Sequence, residues 1–367
     1  MDRRTFLLAL ATLPAYRAGN AQAATNSQTV AAVDFAKVRP GHKLVFPFDH
    51  GAHPDFRIEW WYATGWLALP DGSPLGFQIT FFRLRTGIGE DNPSAFAPRQ
   101  LILAHSAIAD ASLGRLRHDQ RSARTGFGRA GFETGRTGVW IGDWRMEQRG
   151  DRYQIEARAG DFAYALALVP DAPPLLTGVD GFSVKAPDQR HASYYYSRPQ
   201  LKVSGTVTLD RHPLAVTGLA WLDHEWSSEL MPEGAQGWDW VSVNFNDGSA
   251  VMAFRLRSAD GQPLWSAATF REAGGNAQVL APDAVAFEAL RHWRSERTGI
   301  NYPVEWRIRI GQRHLHLQPL IDDQELDSRR SVGAVYWEGA VQVAENGRDV
   351  GRGYLEMTGY GERIRLG

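Results

Sequence analysis

The feature that most constrains the fold of this chain is a two-residue alternation of apolar and polar side chains. From Leu201 to Leu209, apolar or small residues alternate with Lys, Ser and Thr, and from Val304 to Ile310, Val, Trp and Ile alternate with Glu and Arg. This period matches a β-strand with one buried and one solvated face. Long segments with the 3.6-residue period of an amphipathic helix are lacking. The pattern therefore predicts an all-β chain.

Short turn sequences separate these strand segments and predict antiparallel hairpins. A two-residue type I′ turn needs positive φ at both central positions, which Asn, Asp and Gly tolerate best. Four such dipeptides are present: Asp71-Gly72, Asp247-Gly248, Asp260-Gly261 and Asn346-Gly347.

A weak internal repeat indicates two related halves. Its first copy contains Glu59-Trp60-Trp61-Tyr62, Asp71-Gly72-Ser73 and Phe82-Arg83-Leu84-Arg85, and its second contains Trp238-Asp239-Trp240-Val241, Asp247-Gly248-Ser249 and Phe254-Arg255-Leu256-Arg257. The segment 231–237 between them contains Pro and Gly, which interrupt strand pairing and suit a linker. We expect an N-terminal domain over residues 45–230 and a C-terminal domain over residues 231–367.

The first 24 residues have the features of an export signal. Arg3 and Arg4 precede an apolar run that ends at Leu13, and the small residues near Ala23 and Ala24 suit cleavage. The run is too short to span a membrane, and Arg-Arg-x-Phe-Leu is typical of the twin-arginine route. We expect a signal peptide over residues 1–24 and a periplasmic or secreted protein that does not span the membrane.

The composition argues against several classes of protein. The 367 residues include no cysteine, 40 basic and 41 acidic residues, and the net charge is −1. Without cysteine there is no disulfide, thiolate metal site or thiol nucleophile. Without a basic stripe we expect no nucleic-acid partner. The sequence also lacks the Gly-x-Ser-x-Gly elbow of serine hydrolases and the Gly-rich loops of nucleotide enzymes.

The segment from Leu214 to Trp226 holds the first set of candidate site residues. In a strand, its even positions form an apolar face that ends in His224 and Trp226, whereas Asp223 and Glu225 point to the opposite face. We expect His224 and Trp226 to project into the first domain and contact a ligand. The alternative is a histidine that only satisfies hydrogen bonds in the core. The neighbouring indole and the flanking carboxylates favour a functional histidine with a tuned pKa.

Glu59 is a second candidate, because it directly precedes Trp60, Trp61 and Tyr62. Among indole rings a carboxyl group is desolvated, which raises its pKa and suits a general acid. The alternative is an ion pair between Glu59 and an arginine such as Arg57 or Arg83.

Further aromatic clusters are candidates for the lining of a pocket. They comprise Tyr195, within the Tyr triplet 194–196, and the pair Trp238 and Trp240 with Asp239 between them. Metal binding is not predicted, since the histidines show neither His-Glu-x-x-His spacing nor a closely spaced trio of ligands. The histidines considered are His50, His53, His105, His224, His314 and His316.

Two motifs give the chain a resemblance to the AttH and carotenoid 1,2-hydratase family. Residues 53–65 contain Asp-x-x-x-Glu-Trp-Trp-Tyr, and residues 218–240 contain Asp-His-Glu-Trp-Ser followed by Trp-Asp-Trp. The resemblance covers nearly all of the chain after the signal peptide. It implies two consecutive lipocalin-like, calycin-type antiparallel β-barrels in a secreted protein.

The resemblance also implies two kinds of function. In the hydratases, which add water across the terminal C1–C2 double bond of an acyclic carotenoid, an inward His-x-Trp pair is implicated. That pair matches His224 and Trp226, and an aspartate implicated with it matches Asp239 best. Exported members resemble predicted hydrolases and are associated with permeases of ABC-type transporters.

Two hypotheses follow. In the first, Glu59, Asp239 or His224 protonates an isoprenoid double bond, and indole rings stabilise the cation by about 1–2 kcal/mol each, without a cofactor. In the second, a non-enzymatic periplasmic carrier binds a lipid or isoprenoid for a transporter permease. The residues expected to contact the ligand in either case are Trp60, Trp61, Tyr62, Tyr195, Asp223, Glu225, Trp226, Trp238 and Trp240.

The export signal gives a direct prediction. Replacing Arg3 and Arg4 by lysine should leave the precursor in the cytoplasm, because the twin-arginine receptor recognises the arginine pair and not positive charge alone. Cell fractionation followed by immunoblotting measures the outcome. Unchanged accumulation outside the cytoplasm would instead indicate the general secretory route.

Overall fold

Two antiparallel β-sheets make up the fold, and they share no strand. The computed structural model describes residues 33–363, so the predicted signal peptide over residues 1–24 lies outside the described residues. The helical elements described are the 3₁₀ turns η1 (Phe48–His50) and η2 (Pro282–Ala284). In the described part of the chain no helix is long and apolar enough to cross a membrane. The prediction of an all-β chain is confirmed.

The first sheet contains thirteen strands in the order β4-β3-β2-β1-β13-β12-β9-β8-β7-β6-β5, with β10 and β11 also paired to β12. It curls until Arg121 on β4 donates hydrogen bonds to the carbonyl oxygens of Ile141 (3.2 Å) and Arg158 (3.0 Å) on the other side. The strands are β1 (Ile58–Ala68), β2 (Pro74–Arg85), β3 (Gln100–Asp110), β4 (Arg115–Arg124), β5 (Ala130–Phe132), β6 (Gly138–Ile141), β7 (Trp144–Arg149), β8 (Arg152–Arg158), β9 (Phe162–Val169), β10 (Leu175–Leu176), β11 (Phe182–Val184), β12 (Ala192–Leu209) and β13 (His212–Ser227).

The second sheet contains ten strands in the order β17-β16-β15-β14-β23-β22-β20-β19-β18, with β21 paired to β22. Its strands are β14 (Gly237–Phe245), β15 (Ala250–Arg257), β16 (Pro263–Arg271), β17 (Ala277–Leu280), β18 (Val285–Arg294), β19 (Asn301–Ile310), β20 (Arg313–Pro319), β21 (Glu325–Asp327), β22 (Val335–Glu345) and β23 (Arg348–Met357). Residues 228–236 connect the sheets. Because the chain from Phe35 onward forms one compact unit, a domain division at residue 231 stays a prediction.

The internal repeat corresponds to a repeated strand order. In the first sheet β1 lies between β2 and the last strand, β13, and in the second sheet β14 lies between β15 and the last strand, β23. The four-strand rows β2-β1-β13-β12 and β15-β14-β23-β22 are therefore equivalent in the two halves.

Apolar side chains form a core inside each sheet and a third core between the sheets. At the third core the sheets approach closely: a Cβ atom added to Gly76 on β2 would lie 2.7 Å from the Cβ of Ala340 on β22. The indole Nε1–H of Trp66 donates to the carbonyl oxygen of Gly353 across the same interface (2.9 Å). At these two points the facing sides of the sheets are in direct contact.

The predicted hairpins form, but only one of the four dipeptides adopts a turn with positive φ at both positions. Asn346 and Gly347 have φ of 51° and 76°, as a type I′ turn requires. In the other three loops only the glycine has positive φ, and the loops are longer. An unpredicted turn of this kind joins β12 to β13, where Asp210 and Arg211 have φ of 47° and 72°.

This turn predicts a stabilising substitution. A non-glycine residue at φ near 70° is strained, so Arg211→Gly should raise the free energy of unfolding by about 0.5–1 kcal/mol after the entropy cost of glycine. Urea denaturation measures the change. The matched control is Arg211→Ala, which keeps the strain and should give no gain; equal stabilisation by alanine would show that the arginine side chain, and not φ, is responsible.

Candidate functional site

Strands β1 and β13 are the centre of the site because both of their faces are largely buried along residues 58–65 and 220–227. Their antiparallel register pairs Glu59 with Trp226, Trp61 with His224, and Tyr62 with Asp223. Alternation then divides the candidate residues between two places. The residues that face the inside of the first sheet are Glu59, Trp61, His224 and Trp226, and those that face the second sheet are Trp60, Tyr62, Asp223 and Glu225.

Glu59 lies in a closed polar cluster inside the first sheet and is 0% exposed. Its Oε2 accepts a hydrogen bond from Nε of Arg83 (2.7 Å), and its Oε1 lies 2.8 Å from His224 Nε2 and from His53 Nδ1. Burial raises the pKa of Glu59, but Arg83 and the histidines outweigh burial and hold it well below the usual range. The expectation of a raised pKa is therefore wrong, and the alternative of an arginine pair describes the structure.

Aromatic stacking completes this cluster. The Trp226 ring stacks on His53 with 3.7 Å between centroids, and the Trp61 ring stacks on His224 at 4.8 Å. His53 Nε2 lies 3.1 Å from a carboxylate oxygen of Asp49, which belongs to the turn η1. Burial lowers the pKa of His224, so this imidazole is neutral near pH 7. Both His224 and Trp226 are buried inside the first sheet, and neither borders the cavity between the two sheets.

The cluster also contains three side chains that could ligate a metal ion, namely His53, Glu59 and His224. Their spacing in the sequence did not reveal this trio, because His53 and His224 are far apart along the chain. One ligand atom from each lies within 4.8 Å of the others. All three are already engaged in hydrogen bonds. Burial lowers the pKa of His53, but Glu59 and Asp49 outweigh burial and raise it. Glu59 is hydrogen-bonded to Arg83, His53 and His224, and Asp49 to His53, so the trio already forms a connected polar network.

A cavity with about 790 Å³ of free space, part of it open to solvent, lies between the two sheets. Eight of its eighteen lining residues are aromatic, and four carboxyl groups and one lysine also border it. Such a lining suits a hydrophobic ligand with a few polar anchor points. The aromatic residues are Trp60, Tyr62, Phe82, Tyr195, Trp238, Trp240, Phe254 and Tyr336, and the charged residues are Lys185, Asp223, Glu225, Glu338 and Glu356.

Asp223 holds walls from both sheets in place. Its carboxylate accepts hydrogen bonds from the Tyr195 hydroxyl, the Ser197 hydroxyl and the Trp221 indole, each at 2.6 Å. The Tyr195 oxygen in turn accepts a hydrogen bond from Trp240 Nε1 (3.1 Å) in the second sheet. Burial outweighs these hydrogen bonds and raises the pKa of Asp223 to about 7. Asp223 therefore orders the cavity and can exist in either protonation state near neutral pH.

Glu225 forms an ion pair with Lys185. Its Oε1 lies 2.9 Å from Lys185 Nζ, and the Ser193 hydroxyl donates to the same oxygen. The Lys185 ammonium also lies 4.2 Å from the ring centroid of Phe254 and 5.1 Å from that of Tyr195. These are cation–π distances, so the pocket stabilises a positive charge at this point.

Glu338 and Glu356 lie directly opposite each other on β22 and β23. Glu356 accepts a hydrogen bond from Trp238 Nε1 (3.1 Å), whereas Oε1 of the buried Glu338 makes no hydrogen bond of regular geometry among the described residues. Burial and repulsion from Glu356 raise the pKa of Glu338 well above its usual range, and burial with repulsion from Asp223 and Glu225 raises that of Glu356 to about 8. Among the described residues, no arginine, lysine or histidine forms an ion pair with either. Sequence reasoning missed this pair, although an acid amid the apolar residues 335–343 was an available signal.

Asp239 lies inside the second sheet and not in the cavity. Its Oδ2 accepts hydrogen bonds from Arg255 (2.7 Å) and Arg257 (2.9 Å), and its Oδ1 accepts one from the Tyr360 hydroxyl (2.9 Å). The register pairs Asp239 with Arg255 as it pairs Glu59 with Arg83. The two halves thus repeat a buried acid–arginine pair, and neither acid borders the cavity.

These ion pairs predict a structural role for Glu59. Because Glu59→Gln would leave the buried Arg83 cation uncompensated, it should lower the free energy of unfolding by about 3–5 kcal/mol. The control is Glu288→Gln, which removes an exposed pair with Arg307 and should cost less than about 1 kcal/mol. Urea denaturation compares the two variants. Equal, small losses would contradict a structural role.

The comparisons with known proteins agree with this fold. An AttH protein from Nitrosomonas europaea is 50% identical, and its structure covers 89% of this chain and 100% of its own, with a TM-score of 0.83. A kievitone hydratase from Nectria haematococca is 13% identical over 89% of this chain and 96% of its own (TM-score 0.65), and CghA solved with Sch210972 is 16% identical over 86% and 90% (TM-score 0.53). These two show a shared fold.

No curated protein matches the chain in sequence. The family model described as AttH-like matches residues 37–360, which is most of the chain. Together with the 50% identity to the Nitrosomonas europaea protein, this match shows that the chain belongs to the AttH-like family.

Proposed function

We propose that this protein binds a hydrophobic ligand of the isoprenoid or lipid type between its two sheets and adds water across a carbon–carbon double bond by acid catalysis. The observation that carries the proposal is the cavity itself, in which aromatic walls surround a pair of carboxyl groups without a cation. The kievitone hydratase that shares the fold supports hydratase chemistry as the reaction class.

Glu338 is the best candidate for the proton donor. It is 1% exposed and borders the cavity, and burial with repulsion from Glu356 raises its pKa well above the usual range, which favours the protonated form. The hydroxyls of Tyr62 and Tyr336 face this carboxyl group, and its Oε1 has no hydrogen bond of regular geometry among the described residues. Glu59, Asp239 and His224, the acids favoured by the sequence, lie outside the cavity, and the two carboxylates are paired with arginines.

The reaction balances without a cofactor. The Glu338 carboxyl transfers its proton to one alkene carbon, which leaves a carboxylate and a positive charge on the other carbon. Water adds to that carbon, and the proton it releases returns to the Glu338–Glu356 pair. The rings of Trp60, Trp240 and Phe254 face the space where the charge develops, and each contact stabilises the cation by about 1–2 kcal/mol.

The same cavity would serve a carrier. We propose that the protein acts after export, in the periplasm or outside the cell, where an ABC-type transporter permease is the partner a non-enzymatic carrier would need. The buried, protonated carboxyl pair favours the enzyme, because a carrier of a hydrocarbon chain gains nothing from two adjacent acids.

The test is product analysis with the purified chain. Acyclic carotenoids and other isoprenoids are incubated with it in H₂O and in D₂O, and mass spectrometry looks for the addition of one water and, in D₂O, one deuterium on carbon. Loss of the acid in Glu338→Gln should slow turnover by about 10²–10⁴-fold while ligand binding persists.

The control is Glu288→Gln on the outside of the second sheet, which should keep wild-type turnover. Binding without any product in the wild-type protein would overturn the hydratase and indicate the carrier. Undiminished turnover in a folded Glu338→Gln variant would overturn the assignment of the proton donor. Absence of binding would overturn the assignment of the cavity.

A further inference from the structure

Equivalent rows of side chains from the two halves face each other across the cavity. In the first sheet the row crosses β2, β1, β13 and β12, and in the second it crosses β15, β14, β23 and β22. Each row begins with two aromatic residues followed by a glutamate. The first row is Phe82, Trp60, Glu225 and Tyr195, and the second is Phe254, Trp240, Glu356 and Glu338.

The first row already holds a cation. Lys185 Nζ lies 2.9 Å from Glu225 and donates to the Ser183 hydroxyl (3.0 Å). The same ammonium lies over the rings of Tyr195 and Phe254. A carboxylate and aromatic faces together are the arrangement that recognises substituted ammonium groups. Lys185 thus shows how a positive charge is accommodated in this cavity.

The second row has more negative charge and no cation. It carries two acids, Glu356 and Glu338, where the first row has Glu225 and Tyr195. Oε1 of Glu338 and the hydroxyl of Tyr62 are both buried, and neither makes a hydrogen bond of regular geometry among the described residues. The Tyr62 hydroxyl interacts with Glu338 but carries no positive charge. Two adjacent buried carboxylates repel each other unless a proton or another cation lies with them.

None of the side chains described around Glu338 and Glu356 supplies a cation to this pair of carboxyl groups. The tyrosines that face it come from three strands, β1, β22 and β23, and the two carboxylates of β13 also raise the pKa of Glu356. The nearest cation of the cavity, Lys185, belongs to Glu225. The surrounding titratable groups are Tyr62, Tyr336, Tyr354, Asp223, Glu225 and Lys185.

We infer that the Glu338–Glu356 pair is a recognition site for an organic cation, and that a hydrophobic ligand with a substituted ammonium group binds there in exchange for a proton. The inference rests on the proposed ligand cavity and identifies the charge of the ligands that it selects. It fits the hydration reaction as well, because a carbocation forms at the moment when the pair gives up its proton.

Three probes with the same chain test the inference by isothermal titration calorimetry below their micelle concentrations: decyltrimethylammonium, decanol and decanoate. Decyltrimethylammonium should bind at least about tenfold more tightly than decanol, and decanoate most weakly. Since the quaternary ammonium cannot titrate, the pH dependence comes from the protein. The affinity for decyltrimethylammonium should rise about tenfold per pH unit below the pKa of the Glu338–Glu356 pair and level off above that pKa.

The exchange of a proton for the bound ammonium group can be measured separately. Titrations of decyltrimethylammonium in buffers with different ionisation enthalpies should show the release of one proton on binding. Glu338→Gln and Glu356→Gln should each reduce the preference for the ammonium probe about tenfold and abolish the proton release. Decanol binding should persist in both variants, and Glu288→Gln should behave as the wild-type protein.

The outcomes separate this inference from the proposed function. Equal affinity for decanol and the ammonium probe would overturn charge recognition while leaving the hydrophobic cavity in place. If no probe binds, the cavity assignment itself fails. Lys185→Met provides a second test, because it removes the internal cation of the first row and should add a second ammonium site. A folded Lys185→Met variant without that added site would overturn the equivalence of the two rows.

Discussion

The pairing of β1 with β13 is the interaction on which the rest of the structure depends. Where residues 58–65 of β1 pair with residues 220–227 of β13, both faces are largely buried, and each side chain points either to the inside of the first sheet or toward the second sheet. Because side chains alternate with a period of two, a slip of one residue would exchange the two sets. The Glu59–Arg83 pair and the stacking of Trp61 on His224 favour the observed register.

Buried acidic side chains have different partners inside the sheets and between the sheets. Inside each sheet a buried acid lies against arginine: Glu59 pairs with Arg83, and Asp239 contacts both Arg255 and Arg257. Between the sheets, Glu225 pairs with Lys185, whereas Glu338 and Glu356 lie opposite each other and form no ion pair among the described residues. Buried groups whose protonation can change near neutral pH mark functional sites more often than balanced pairs do. We therefore place the proposed chemistry at the interface between the sheets.

The sequence predicted the all-β fold and the division of residues 223–226 between two faces, since both follow from side-chain periodicity. It could not identify which face borders a cavity, because periodicity distinguishes buried from exposed faces and here both are buried. For the same reason His224 and Trp226 were predicted to contact the ligand together with Trp60, Tyr195, Glu225 and Trp240, of which only the last four border the cavity. Arg83 was one of two candidate partners of Glu59, and only the cross-strand register decided between Arg83 and Arg57. The Asn346-Gly347 turn predicts the β22–β23 hairpin, but the pairing of Glu338 with Glu356 also depends on a register shift between Val343 and Ala344 that the sequence does not show.

The third core, between the sheets, has a consequence for how this protein can be divided. Its aromatic rows become covered only when the two halves meet, so a chain cut at residue 231 would expose a broad apolar face on each fragment. The aromatic rows that form the cavity are therefore also the surface that ties one half to the other. The proposed ligand site is thus a product of the association of the two halves.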